Sequence, residues 1–139
     1  PAGTHGGTYG GGSAIASAAA CATIDALIED KLVENAAISG PQLVTGLKRL
    51  QKAFPQIGDV RGKGLMVATE FGNDGGGHGA EISKRVLTAC IKRRLLLLSC
   101  GTYQNVIRWI PPLVVNKDEI DLSLKLFEQA LKEVLGNGG

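Results

Sequence analysis

Three stretches of this chain hold residue types that suit chemistry. The opening PAGTHGGTYGGG carries six glycines in twelve residues, with Gly7 and Thr8 ahead of a helix start. Backbone amides freed by glycine, a hydroxyl and a following helix N-terminus suit an anion such as phosphate. The spacing matches neither GxxxxGK[ST] nor GxGxxG after a strand, so by itself the stretch reads more readily as a linker. In IGDVRGKGLMVATEF, Arg61 stands between glycine-bearing turns, where it suits either an anion or an ion pair that ties the domain together. In LLLLSCGTYQNVIRWIPPLVV, Arg108 sits within a strand pattern. A guanidinium fork there can grip a carboxylate through two parallel hydrogen bonds, or serve as an ordinary edge-strand ion pair.

Other chemistries find little support. Cys21, Cys90 and Cys100 are odd in number and widely spaced, without CxxC, which argues against a disulfide scaffold or zinc site and fits a reducing compartment. His5 and His78 sit beside glycines with no further ligands at metal spacing, and read as loop residues without a metal. Fifteen basic residues against thirteen acidic ones do not make the basic face that nucleic acid requires. The one dense basic run, Lys92-Arg93-Arg94, falls at a helix end, where cations favour the helix dipole. The apolar stretch from Ala14 to Ile28 is too short and too broken to span a bilayer, and Pro1-Ala2-Gly3 shows no secretory signal. A cytoplasmic protein without nucleic-acid or membrane partners is expected.

The elements that must position these residues follow from periodicity. With 139 residues the chain suits one domain. Ser13 offers an N-cap for an alanine-rich helix, with Ile24, Leu27 and Ile28 on one stripe. A second helix from about Leu32 to Phe54 is expected to be interrupted at Gly40-Pro41. The segment from Ile57 to Phe71 holds a glycine turn and then a strand alternating through Leu65, Val67 and Thr69. The loop GNDGGGHG leads to a helix from Ala80 to Arg94, with Ile82, Val86, Leu87 and Ile91 inward. LLLLSCG reads as a strand covered on both sides or a buried edge, and VIRWIPPLVV as a strand ended by Pro111-Pro112. Alternation sends Trp109 to the face opposite Arg108, into the core. Asn116 caps a last helix whose apolar face runs through Ile120, Leu124, Phe127, Leu131 and Leu135. The expected order is helix, helix, strand, helix, strand, strand, helix. That is an α/β (α+β) layer, with helices on one side of a small, largely antiparallel sheet.

The three stretches, in this order, resemble the class III pyridoxal-phosphate-dependent aminotransferases, and most of all the 4-aminobutyrate aminotransferases. GTHGGTYGG followed by SAIASAAACATIDAL is similar to the family's GTHGGTYGGNPxACAAAxAT. IGDVRGKGLM is similar to IGDVRGLGLM, and LLLLSCGTYQNVIR to LLLLSCGTYGNVIR. The resemblance implies the C-terminal domain of a fold-type I aminotransferase. Residues 1–13 would form a cofactor-phosphate loop on the large-domain side, and residues 14–139 the small domain with its connecting helix. It implies that Gly7 and Thr8 contact the pyridoxal phosphate of a homodimer partner, and that Arg108 holds a substrate carboxylate. It implies amino-group transfer from 4-aminobutyrate or a related ω-amino acid to 2-oxoglutarate. The lysine that holds the cofactor aldehyde belongs to the large domain, so no catalytic residue is expected in this chain. Lys31, Lys48, Lys52 and Lys63 match other parts of the family. A chain opening at Pro1 inside a site loop suggests a fragment, inactive alone. A free-standing, non-catalytic module binding an anionic ligand or a protein is the competing expectation. The resemblance departs at Gly12-Ser13, where the family has Asn-Pro, and at Arg94, where it has a helix-closing glycine. Arginine there implies a different helix ending.

Overall fold

A computed structural model describes residues 12–72 and 77–136. The chain divides into two compact units, Pro1–Glu34 and Asn35–Gly139. In the first, α1 (Ala14–Glu29) starts where Ser13 Oγ accepts a hydrogen bond from the Ala16 amide at 3.1 Å, so the cap survives the loss of Asn-Pro. No residue of α1 is buried.

The second unit is a four-stranded antiparallel sheet with helices on one face. Its strands are β1 (Ile57–Lys63), β2 (Met66–Phe71), β3 (Leu98–Cys100) and β4 (Val106–Trp109), in the order β1-β2-β4-β3. Val60, Val67, Phe71, Ile107 and Trp109 face inward. They meet Leu43, Leu47 and Leu50 of α2 (Leu32–Ala53), Val86 and Cys90 of α3 (Gly77–Lys92), and Leu124, Phe127 and Leu131 of α4 (Lys117–Leu135). The period-2 and period-3.6 apolar patterns can both be satisfied only if one sheet face and three helix stripes converge. The Trp109 and Phe127 rings meet edge to face, with centroids 4.9 Å apart.

The structure corrects several expectations. Four strands form instead of three, because Ile57–Lys63 is a strand of its own. Lys63 pairs with Met66 across a two-residue loop in which Gly64 takes a φ of +55°, the placing that a type II′ hairpin asks of glycine. Helix α2 runs unbroken through Pro41. Tertiary contact holds it there: Gly40 lies against the Gly64 backbone with no room for a Cβ. LLLLSCG forms only a three-residue edge strand: Leu95 and Leu97 pack against the core while Leu96 is 82% and Leu98 49% exposed, so one face is covered and not both. Helix α3 begins at Gly77, so His78 lies in its first turn and not in a loop. Ile91 is exposed, and Ala89 and Cys90 take its place in the core. Finally, α3 ends in the glycine-type way despite its arginine. Arg94 adopts a φ of +61°, its amide bonds to the Ile91 carbonyl, and the Leu95 amide bonds to the Cys90 carbonyl, which makes a Schellman motif. Asn116 caps α4, as the sequence suggests, and Glu119 completes a capping box with it.

Candidate functional site

Burying one face of the sheet leaves the other as the place for polar chemistry. Alternation puts Asp59 and Arg61 of β1, Ala68 and Glu70 of β2, and Leu98 and Arg108 of β4 and its neighbour β3 on this open face. The register is specific: Arg61 pairs with Ala68, Ala68 with Arg108, and Arg108 with Leu98. One row across the sheet therefore reads Arg61, Ala68, Arg108, Leu98.

The two arginines differ in company. Arg61 Nη1 donates to Asp59 Oδ2 and to Glu70 Oε2, each at 2.6 Å. The hydrogen bonds it donates to Asp59 first, then Glu70, push its pKa further up. Asn105, buried in the turn before β4, donates to Glu70 Oε1 at 3.3 Å and to the Phe71 carbonyl at 3.1 Å. Arg61 thus ties the sheet together, as one of its two sequence readings held. Arg108 is exposed, and among the described residues no carboxylate lies within ion-pairing distance of it.

Behind Arg108 the next residue anchors the strand. Trp109 is 2% exposed and donates its indole N–H to Thr69 Oγ1 at 2.9 Å. Arg108 also borders a cavity of about 410 Å³ whose lining includes Leu43, Leu97, Leu98, Trp109, Pro112 and Ile120. Glu119 borders this cavity too, but its carboxylate is taken up by the Asn116 amide at 2.9 Å. Arg108 is the one basic residue among those lining it. A guanidinium with no carboxylate partner among the described residues, beside aliphatic walls, suits a ligand that joins a carboxylate to methylene groups.

Gly7 and Thr8 lie outside the described residues. Lys31, Lys48, Lys52 and Lys63 are all exposed, unlike the desolvated setting of an amine held ready for carbonyl chemistry. The basic run at the end of α3 is structural: Arg93 pairs with Glu133 at 2.7 Å and Lys92 with Glu133 at 3.6 Å. Among the described residues no group of three or more His, Cys, Asp or Glu is placed to hold a metal ion. No described helix is long and apolar enough to cross a membrane. Sequence reasoning did not single out Asp59, Glu70 or Asn105. The signal for Asp59 and Glu70 was the alternation of GDVRG against ATEF, legible only once the Gly64 turn sets the register; Asn105 lies outside both runs.

Comparisons with known proteins agree with this architecture. The family model "Aminotransferase class-III" matches residues 1–131. The chain is 41% identical over 131 residues to the 5-aminovalerate aminotransferase of Pseudomonas putida, covering 93% of this chain and 30% of that protein. It is 35% identical over 130 residues to the 4-aminobutyrate aminotransferase of Escherichia coli, covering 92% and 30%. Among solved structures, a pyridoxal-phosphate-bound amine transaminase from an uncultivated Pseudomonas species matches with a TM-score of 0.84 and 32% identity, over 94% of this chain and 30% of that one. The chain therefore spans about 30% of the length of these relatives.

Proposed function

This chain belongs to the class III aminotransferase family, and on that premise we propose that it is the C-terminal part of an ω-amino-acid aminotransferase. The whole enzyme moves an amino group from 4-aminobutyrate, or a related ω-amino acid, to 2-oxoglutarate. Pyridoxal phosphate, when bound, supplies the electron sink that this transfer requires.

Within this reading the chain binds and orients. Arg108 holds a substrate carboxylate through its planar fork, and so fixes how far the amino end reaches. Gly7 and Thr8, on the loop of residues 1–13, give neutral hydrogen bonds to the cofactor phosphate of a homodimer partner. Residues 14–139 form the small domain, with α1 as its connection to the large domain. The lysine that carries the proton transfer lies on that large domain, so this chain alone is inactive. The whole enzyme works in the cytoplasm. The competing module reading has no observation in its favour that the family does not also explain.

One observation carries the proposal: on the open sheet face, Arg61 is saturated by two carboxylates while Arg108 has none among the described residues. The test is Arg108→Gln in the full-length enzyme. A charge-assisted pair is worth about 1.5–3 kcal/mol, so KM for 4-aminobutyrate and 2-oxoglutarate rises by roughly 10- to 100-fold. Unchanged KM for both substrates would sink the assignment.

A further inference from the structure

The row Arg61, Ala68, Arg108 sets Glu70 diagonal to both arginines, because Glu70 lies two residues beyond Ala68 on the same face of β2. Diagonal neighbours in an antiparallel sheet stand about 7–8 Å apart, within reach of a long arginine side chain. The diagonal to Arg61 is closed at 2.6 Å. The diagonal to Arg108 is open. We infer that Arg61 is a positioning residue that keeps the Glu70 carboxylate away from Arg108, so that Arg108 stays available to a substrate carboxylate. This rests on the reading of Arg108 given above.

The restraint is built from both sides of Glu70. Its Oε2 takes the Arg61 guanidinium, which Asp59 holds from the other side through the same nitrogen. Its Oε1 takes Asn105 Nδ2, and Asn105 is itself fixed by the Phe71 carbonyl and by its own carbonyl, which accepts the Phe71 amide at 2.8 Å. Asp59, Arg61 and Glu70 together carry one net negative charge beside Arg108. Without Arg61 that charge becomes two, and Glu70 loses its strongest anchor. Among the described residues, Arg108 is then the cation without a carboxylate partner that stands diagonal to Glu70, whereas Lys63 on the same face pairs with Met66, further along β2. The diagonal is flanked by Ala68 and by Val106, the direct partner of Glu70.

The test uses the full-length, pyridoxal-phosphate-loaded enzyme and four variants: R61A, R61K, R61A/E70Q and R108Q. Steady-state KM and kcat are measured for 4-aminobutyrate, and for butylamine as a donor without a carboxylate. R61A is expected to raise KM for 4-aminobutyrate by roughly fivefold, the size of one half-exposed ion pair, with kcat little changed. R61A/E70Q restores KM, because a neutral amide cannot compete for Arg108. R61K, which keeps a cation for Glu70, holds KM within about twofold of the parent. At saturating 2-oxoglutarate, butylamine kinetics stay unaltered in R61A, R61K and R61A/E70Q. The inference is overturned if R61A leaves KM unchanged while R108Q raises it, which spares the Arg108 reading. It is overturned as well if R61A/E70Q is as impaired as R61A, because the effect is then a general loss of structure. If R108Q itself changes nothing, the Arg108 reading fails and the inference falls with it.

Discussion

Arg108 and Trp109 are neighbours in β4 that face opposite ways: the guanidinium stands exposed on the open sheet face, and the indole is buried against Phe127 and bonded to Thr69. The single aromatic of the strand, buried, therefore fixes the strand that presents the candidate binding arginine. Any slip of β4 by one residue would exchange the two side chains. The Trp109–Thr69 bond is the polar contact that resists such a slip inside the core.

Trp109→Phe should accordingly destabilise the chain by about 2 kcal/mol, through a lost hydrogen bond and a small cavity. Adding Thr69→Val removes a buried hydroxyl left with only its 3.4 Å bond to the Ile107 carbonyl, and recovers part of that loss. A double-mutant cycle read by urea unfolding checks this. Strict additivity of the two substitutions would show the bond to be unimportant.

Gly40→Ala reverses the usual helix rule. Alanine in a helix interior normally gains about 1 kcal/mol over glycine. Here a Cβ at residue 40 would run into the backbone carbonyl of Gly64 in the β1–β2 turn. Backbone yields less readily than a side-chain end, so a loss of about 1–3 kcal/mol is expected. A raised unfolding midpoint for this variant would contradict the close approach of α2 to the hairpin.

Arg94→Gly should stabilise. A left-handed conformation costs a non-glycine residue about 1–2 kcal/mol, and the greater chain entropy of glycine takes back about half. The expected gain is about 0.5–1 kcal/mol, seen as a higher urea midpoint at unchanged m-value. Gln104, at a φ of +54°, should respond to Gln104→Gly in the same direction.

The Arg93–Glu133 pair gives a pH signature. The hydrogen bond from Arg93 holds the Glu133 carboxyl below its ordinary value of 4.5. A carboxyl depressed in the folded state binds fewer protons there than in the unfolded state. Its contribution is therefore present above the ordinary glutamate range and disappears as pH falls through the lower folded value. Following the Glu133 carboxyl by NMR should show it titrating below 4.5, and returning towards that value in Arg93→Ala. Identical titrations in the two proteins would contradict the pair.

Much of this was legible along the chain because it depends on local spacing. Ser13 and Asn116 cap helices through side chains that reach amides three residues ahead, so both starts could be read directly. The opposite facing of Arg108 and Trp109 follows from the strand period alone. The α4 stripe is a matter of 3.6-residue spacing, and Ile120, Leu124, Phe127 and Leu131 are all buried as that spacing requires. Family resemblance along three ordered motifs added the chemistry that spacing could not supply.

The tertiary structure decided whatever depends on partners distant in sequence. Pro41 continues a helix because Gly40 is pinned against a turn more than twenty residues away. The leucine run is half exposed because β3 lies at the sheet edge, and edge position is a property of strand order, not of hydrophobicity. Arg94 takes a glycine's conformation because the Leu95–Cys90 bond and the buried Cys90 side hold the turn. Above all, only the register across three strands separates an arginine neutralised by Asp59 and Glu70 from one without an anionic partner among the described residues. Two arginines of equal appearance in the sequence acquire different company because hydrogen bonding between strands, which no local pattern encodes, selects which side chains share a face and a row.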